Sequence, residues 1–144
     1  MTDFANLTGM EFLQEMIRSG NSSPMASLLN MKLVEVEDGK AVFEAYPSEH
    51  FYNPQQRVHG GFMATLLDSA LGCAVQTKLA RGVGYGTIEL KVNYVRKLVA
   101  ETGRLVCTAT VLHAGRTMLT SEGRVAGPDG KLYAHGSGTF LVFP

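Results

Sequence analysis

The sequence predicts an α+β domain: a curled antiparallel sheet of about six strands wrapped around one long buried helix, with a short helix ahead of it. Three observations carry that expectation. From Gly61 to Val75 almost every residue is apolar or small, the signature of a helix buried on nearly all sides. Beyond it the apolar period switches to two, as strands require. A helix hydrophobic all round cannot lie on an open sheet with one side wet, so the sheet must curl around it.

The elements follow in order. Leu7, Met10, Leu13, Met16 and Ile17 fall at helical spacing and predict a short amphipathic helix over 7–17, ended between Ser19 and Pro24, inside an N-terminal helical segment 1–28. In MKLVEVEDGKAVFEAY two β-rich runs flank Asp38-Gly39, a tight-turn signal, so a hairpin is expected, closed by Pro47. A polar loop with Asn53-Pro54 leads into the central helical segment 59–80, with Gly82 and Gly84 marking its end. In TIELKVNYV, alternation puts Ile88, Leu90, Val92 and Tyr94 on one face and Thr87, Glu89, Lys91 and Asn93 on the other. Three further strands are expected over 103–112, 116–126 and 132–143, with turns at 113–115 and 128–130. These last four strands suit an antiparallel meander, and without repeat or linker residues 1–144 read as one domain.

At 144 residues, 15.6 kDa and a mean hydropathy of +0.04, such a domain buries enough surface to need no disulfide or metal staple. Thirteen basic residues balance thirteen acidic ones without a long run of either sign, which argues against a nucleic-acid or membrane-surface binder and for a small-molecule partner. No uncharged apolar stretch approaches the roughly 18 residues of a membrane span. Cys73 and Cys107 are too few for a secreted disulfide framework, and MTDFANLTG lacks the pattern of a signal peptide, so a cytoplasmic location is expected. Cys73 lies in the apolar helix and reads as packing. His50, His113 and His135 lack metal-ligand spacing, so no metal site is expected.

Asp68 is the anomaly. It stands in the middle of the most apolar segment, where an unpaired carboxylate costs several kcal/mol or is driven towards neutrality. Its helix face also carries Gly61, Ala64, Thr65 and Gly72, all small, so a ligand or a second helix can approach closely. His59-Gly60-Gly61 precedes the helix, and its backbone amides, with the positive helix N-terminus, suit a carbonyl oxygen becoming an oxyanion. Asp68 lies nine residues past His59, about 13 Å along the axis, so the two hardly meet within one subunit. Two such helices packed antiparallel across a dimer axis would bring each Asp68 towards the other's glycines. A sheet curled around one helix, with edges and an uncovered helix stripe that favour dimerisation, is the arrangement called a hotdog fold.

The stretch NPQQRVHGGFMATLLDSALG, from Asn53 to Gly72, resembles the signature of the hotdog acyl-CoA thioesterases of the phenylacetic-acid, PaaI-like branch. VNYVRK, HAGRT and HGSGTF also fall where that family has them, and the resemblance covers nearly all of the chain after about Leu29. It implies that the Gly60 amide polarises the thioester carbonyl and that Asp68 of the opposing subunit acts as nucleophile or as general base on water. It further implies positioning roles for His59, Asn53 and Thr87. The substrate would be an acyl-CoA, with coenzyme A as part of the substrate and no other cofactor. Candidate contacts to its phosphates are Arg96, Lys97, Arg116 and Arg124 and the backbone around Gly115, Gly136 and Ser137, while Gly61 and Thr65 would lie against the thioester. A homodimer with intersubunit active sites is the implied minimum, and a dimer of dimers the expected assembly. Two other readings remain open at this point: an enoyl-thioester hydratase or dehydratase on the same fold, and a non-catalytic acyl-CoA binding protein.

Overall fold

A computed structural model describes residues 4–143. Helix α1 spans Gly9–Ser19, later at both ends than the apolar spacing suggests, because cap residues set its limits. The Thr8 hydroxyl accepts the Glu11 amide at 3.1 Å, the Glu11 carboxylate accepts the Thr8 amide at 2.9 Å, and Gly20 closes the helix in the left-handed region. A second short helix, α2 (Pro24–Leu28), follows where the sequence reading saw only a stop. The Ser23 hydroxyl accepts the Ala26 amide at 3.2 Å, and Pro24 sits in the first turn, where a missing N–H costs nothing.

Strands β1 (Met31–Glu37) and β2 (Lys40–Ala45) form the expected hairpin, and Gly39 takes the left-handed conformation its turn requires. The central helix α3 runs Gly60–Gln76 and stops short of residue 80. Its end is set by Thr77, whose hydroxyl donates to the Ala74 carbonyl at 2.6 Å and accepts the Gly39 amide at 2.8 Å, docking the hairpin tip on the helix terminus. Gly82 belongs to the following turn, and Gly84 opens strand β3 (Gly84–Tyr94), so neither terminates the helix.

Strands β4 (Leu105–Ala114), β5 (Met118–Ala126) and β6 (Leu132–Phe143) complete one antiparallel sheet of order β1-β2-β4-β5-β6-β3. Here the expected four-strand meander is corrected. Only β4, β5 and β6 meander; β3 pairs with β6 at the far edge, and β4 takes β2 as its other neighbour. This order joins all six strands into one surface around α3, with the hairpin inserted beside β4 in the place a full meander would give to β3. The core forms where α3 meets the concave face of the sheet: Leu66, Leu67, Leu71 and Val75 pack with Leu105, Cys107, Val125 and Phe140.

A β-bulge corrects the face assignment in β3. Thr87 pairs with Phe140 and Glu89 with Thr139, so Ile88 is the extra residue of the ladder. The insertion shifts the alternation by one. Leu90 and Val92 pack towards the core as predicted; Ile88 instead points away, 54% exposed, and Thr87 turns to the helix.

Candidate active site

The site grows from the first turn of α3. His59 is its N-cap, and the ring Nδ1 accepts the Gly61 amide at 2.9 Å, which places the ring proton on Nε2. The His59 amide is itself held by the Phe51 carbonyl at 2.8 Å. On the other side the Tyr94 hydroxyl donates to the Gly60 carbonyl at 2.7 Å, so the Gly60–Gly61 peptide is fixed through both its oxygen and its N–H. The Gly60 amide is the exception: among the described residues nothing accepts it. It is a free donor at the positive end of a 17-residue helix. A Cβ added at Gly60 would stand 3.1 Å from the Tyr94 ring, so a side chain there crowds that ring and has to displace it by a few tenths of an ångström.

Just over two turns along, Asp68 meets Thr87, whose hydroxyl donates to the carboxylate at 2.9 Å. Thr65 does not take part, since its own hydroxyl donates to the Gly61 carbonyl at 2.9 Å. The all-round burial read from the apolar run holds for Phe62, Met63, Leu66 and Leu67; Gly61, Ala64, Thr65, Asp68 and Ser69 keep part of their surface exposed within one chain. Asp68 therefore lies on a half-covered stripe of small residues beside the edge strand β3. Cys73, placed in the apolar core by sequence, borders the same stripe and is half-buried. Burial and the Asp68 charge push its thiol up to about 12, so it is a protonated, unreactive group at neutral pH.

Gly60 and Asp68 are eight residues apart on one helix, about 12 Å along its axis, so one chain does not bring them together. Asn53 lies in the same groove as Gly60, a cavity of about 290 Å³ also lined by Tyr94, Arg57, Arg96 and Lys97. The Asn53 side-chain oxygen accepts the Gln55 amide at 2.9 Å and so holds the turn before the helix. Arg96 also sits 5.8 Å from the Tyr133 ring centroid. Gly115 and Arg116 line a separate cavity with Lys78 and Leu79, beyond the opposite end of α3 from Gly60. Gly136 and Arg124 line a third, with Thr108 and Glu122, on the convex face of the sheet, and Ser137 pairs there with Lys91 and Glu122. Within one chain the predicted phosphate contacts thus fall into three places, and only Arg96 and Lys97 share a cavity with Gly60. Sequence reading missed Arg57 in this groove, and it took Tyr94 for an apolar strand residue without its hydroxyl. Nothing local flagged either of them: Arg57 stands in a polar loop and lines the groove only through the fold, and the Tyr94 hydroxyl finds its acceptor at Gly60, 34 residues away in the chain.

A helix wrapped by a curled antiparallel sheet, with a free amide at its glycine N-terminus and a carboxylate on its uncovered stripe, defines a hotdog enzyme of the thioester-hydrolase class. The chain belongs to the thioesterase superfamily, whose profile matches residues 55–134, more than half of its length. It is 32% identical over 130 residues to a Halobacterium salinarum protein provisionally named an esterase, covering 83% of this chain and 84% of that one. A conserved Pseudomonas aeruginosa protein of known structure superposes with a TM-score of 0.79 at 33% identity, over 88% of this chain and 98% of its own. A Ralstonia eutropha thioesterase-type protein described as related to phenylacetic acid degradation gives a TM-score of 0.80 at 26% identity, over 90% and 98% of the two chains. The resemblance to the PaaI-like branch and the hotdog fold are both borne out. No helix among the described residues is long and apolar enough to cross a membrane.

Proposed function

We propose that this thioester hydrolase cleaves acyl-CoA to a free acid and coenzyme A, in a cytoplasmic homodimer whose two sites each combine the Gly60 amide of one subunit with Asp68 of the other. The observation that carries this reading is the unaccepted Gly60 amide at the start of a helix whose exposed stripe holds a carboxylate that its own chain cannot bring to it. Antiparallel pairing of two α3 stripes closes that gap and covers Gly61, Ala64, Thr65 and Ser69. It also covers the edge strand β3, where Ile88 is 54% exposed. The same pairing carries the end of α3 near Gly115 and Arg116 towards the partner's glycines, which leaves these two residues available to a shared site. Two such dimers would make the expected dimer of dimers.

In this site the thioester oxygen sits on the Gly60 amide, which gains most as the oxygen takes up negative charge. Asp68 either accepts a proton from the attacking water or attacks the carbonyl carbon itself. In both routes the tetrahedral adduct collapses by expelling the coenzyme A thiolate; the water route gives the free acid directly, and the nucleophilic route leaves a mixed anhydride on Asp68 that water then hydrolyses to the free acid and the regenerated carboxylate. Thr87 holds one carboxylate oxygen, and Asn53 shapes the groove in front of Gly60. Arg57, Arg96 and Lys97 supply cations for the phosphates.

Thiol release from a panel of acyl-CoA substrates tests the proposal, with wild type and Asp68→Asn compared and the assembly sized by analytical ultracentrifugation. Turnover by a wild-type dimer or tetramer supports it. Hydration of an enoyl-CoA without thiol release, or full activity in a monomer, overturns it.

A further inference from the structure

Glycine weakens a helix interior relative to alanine, yet Gly72 stands inside the 17-residue α3, four residues before its end. The reason lies on the neighbouring strand. A Cβ at Gly72 would stand 2.9 Å from the Tyr85 hydroxyl oxygen, 3.2 Å from the ring carbon Cε2 and 3.5 Å from the Phe140 ring. The Tyr85 ring therefore rests on the backbone of the helix itself. It meets the Phe140 ring edge to face, with centroids 5.9 Å apart at 63°, and its hydroxyl donates to the side-chain oxygen of buried Gln76 at 3.4 Å. Gln76 has no room to retreat, because a Cβ at Gly9 of α1 would stand 1.8 Å from the Gln76 carbonyl oxygen and 3.1 Å from its Cγ. Gly72, Phe140 and Gln76 thus hold the tyrosine on three sides.

Gly72 lies one turn past Asp68 on α3, and Tyr85 lies two residues before Thr87 on the same face of β3. The seat of Tyr85 on Gly72 and the bond from Thr87 to Asp68 are adjacent links between the same two elements. Burial, the Cys73 thiol and the Asp68 charge all raise the Tyr85 hydroxyl above the ordinary tyrosine range, so it stays a neutral donor. Thr87 has little else to place it. It is the last ladder residue before the bulge at Ile88, where the strand bends and its pairing breaks. Among the described residues β3 has β6 as its one ladder neighbour.

We infer that Tyr85 is a positioning residue for Asp68: its ring, seated on Gly72, sets the distance between β3 and α3 at which the Thr87 hydroxyl reaches the carboxylate. The inference rests on the proposed function for the role of Asp68. Tyr85 packs on the helix and acts through Thr87, so its loss falls on kcat and leaves KM in place. The ring supplies the spacing, and the hydroxyl adds little, since its bond to Gln76 is long.

The test is a double-mutant cycle on kcat and KM for the acyl-CoA that wild type turns over fastest. Tyr85→Leu and Thr87→Val are measured singly and together, beside Tyr85→Phe, Gly72→Ala, the Gly72→Ala/Tyr85→Phe pair and Asp68→Asn. Thermal melts set an assay temperature at which each variant is folded. Tyr85→Leu is expected to lower kcat about tenfold, no more than Thr87→Val does, on a scale where a misplacement of about 1 Å costs about 10²-fold. KM should stay within about twofold, and in the Thr87→Val background Tyr85→Leu should change kcat by less than about twofold. Tyr85→Phe should keep most of the rate. Gly72→Ala should lose rate, and adding Tyr85→Phe should recover at least about threefold of it, because the contact at 2.9 Å goes with the hydroxyl. If Tyr85→Leu does not fold, this last pair decides alone.

Losses that multiply in the Tyr85→Leu/Thr87→Val double variant overturn the inference. So does a raised KM with kcat unchanged in Tyr85→Leu, which would put the ring on the substrate, or a Gly72→Ala loss that Tyr85→Phe does not repair. Full turnover by Asp68→Asn, or no thiol release from any acyl-CoA, overturns the proposed function itself and this inference with it.

Discussion

Thr87 and Asp68 are joined by a hydrogen bond of 2.9 Å that spans the gap between the edge strand β3 and the uncovered stripe of α3. The threonine hydroxyl donates, so one carboxylate oxygen is held in place and the other is left to face whatever packs on the stripe. Removing the hydroxyl should release the carboxylate into several rotamers. Thr87→Val is expected to lower kcat about tenfold or more, the scale of one hydrogen bond to a charged group. KM should change little, and Thr87→Ser should restore most of the rate. Equal losses in the valine and serine variants would show that packing, not the hydroxyl, matters at this position.

Asp68→Asn keeps the volume and still offers Thr87 an acceptor oxygen, so the fold has no reason to change. What it removes is the negative charge that takes up a proton or attacks carbon. The expected loss in kcat is about 10²–10⁴-fold, with a melting temperature close to wild type. Mixing this variant with an inactive Gly60→Ala chain offers a sharper measurement. If each site draws Gly60 from one subunit and Asp68 from the other, mixed dimers regain one complete site. Up to about half the wild-type activity per mixed dimer then returns. No recovery after confirmed subunit exchange would place both groups in one chain's site.

Much of this architecture is legible in the sequence, and the misses have physical causes. The apolar run from Gly61 to Val75 announced the wrapped helix, and Asp38-Gly39 announced the hairpin, because burial and a left-handed turn leave local signatures. The pairing of β3 with β6 left none, since strand order depends on which edges remain free after the chain has crossed the sheet. Thr87 was marked for its chemistry but put on the wrong face, because an alternation rule has no means of registering one inserted residue at Ile88. The separation of Gly60 from Asp68 is readable from helix geometry alone, which is why the sequence by itself points to an intersubunit site.

The Gly60 position allows a second separation of packing from chemistry. An added Cβ meets the Tyr94 ring at 3.1 Å, so Gly60→Ala must either push the ring aside or turn the helix entrance. Tyr94→Phe leaves the ring and removes only the bond to the Gly60 carbonyl. Burial holds the Tyr94 hydroxyl above the ordinary tyrosine range, so it stays a donor through neutral and mildly alkaline pH. Tyr94→Phe is expected to lower kcat by about two- to tenfold with KM and melting temperature nearly unchanged, because a neutral hydrogen bond contributes about 0.5–1.5 kcal/mol. In Gly60→Ala the further effect of Tyr94→Phe should vanish, because the peptide it steadies has already moved. Additive losses would show that the tyrosine acts elsewhere than through Gly60.

Alkaline stability follows from the two thiols, half-buried Cys73 and buried Cys107. Burial and the Asp68 charge raise the Cys73 thiol from an ordinary value of 9.0 to about 12, and burial pushes Cys107 and Tyr85 upward as well. Below pH 9 the folded and unfolded chains both keep these protons, and the folded state has its full stability. Above pH 9 the unfolded chain releases them while the folded chain retains them, so each rise in pH favours unfolding until about pH 12, where the folded Cys73 titrates too. The melting temperature should therefore be flat from neutrality to pH 9 and fall steadily beyond it. Cys73→Ala should show a shallower decline than wild type, because one of the groups that drives it is gone. The half-buried side chain leaves only a small void when shortened, so its melt at pH 7 remains a fair reference. A wild-type melting temperature that stays level to pH 11 in reversible scans would mean that the fold does not raise these thiols.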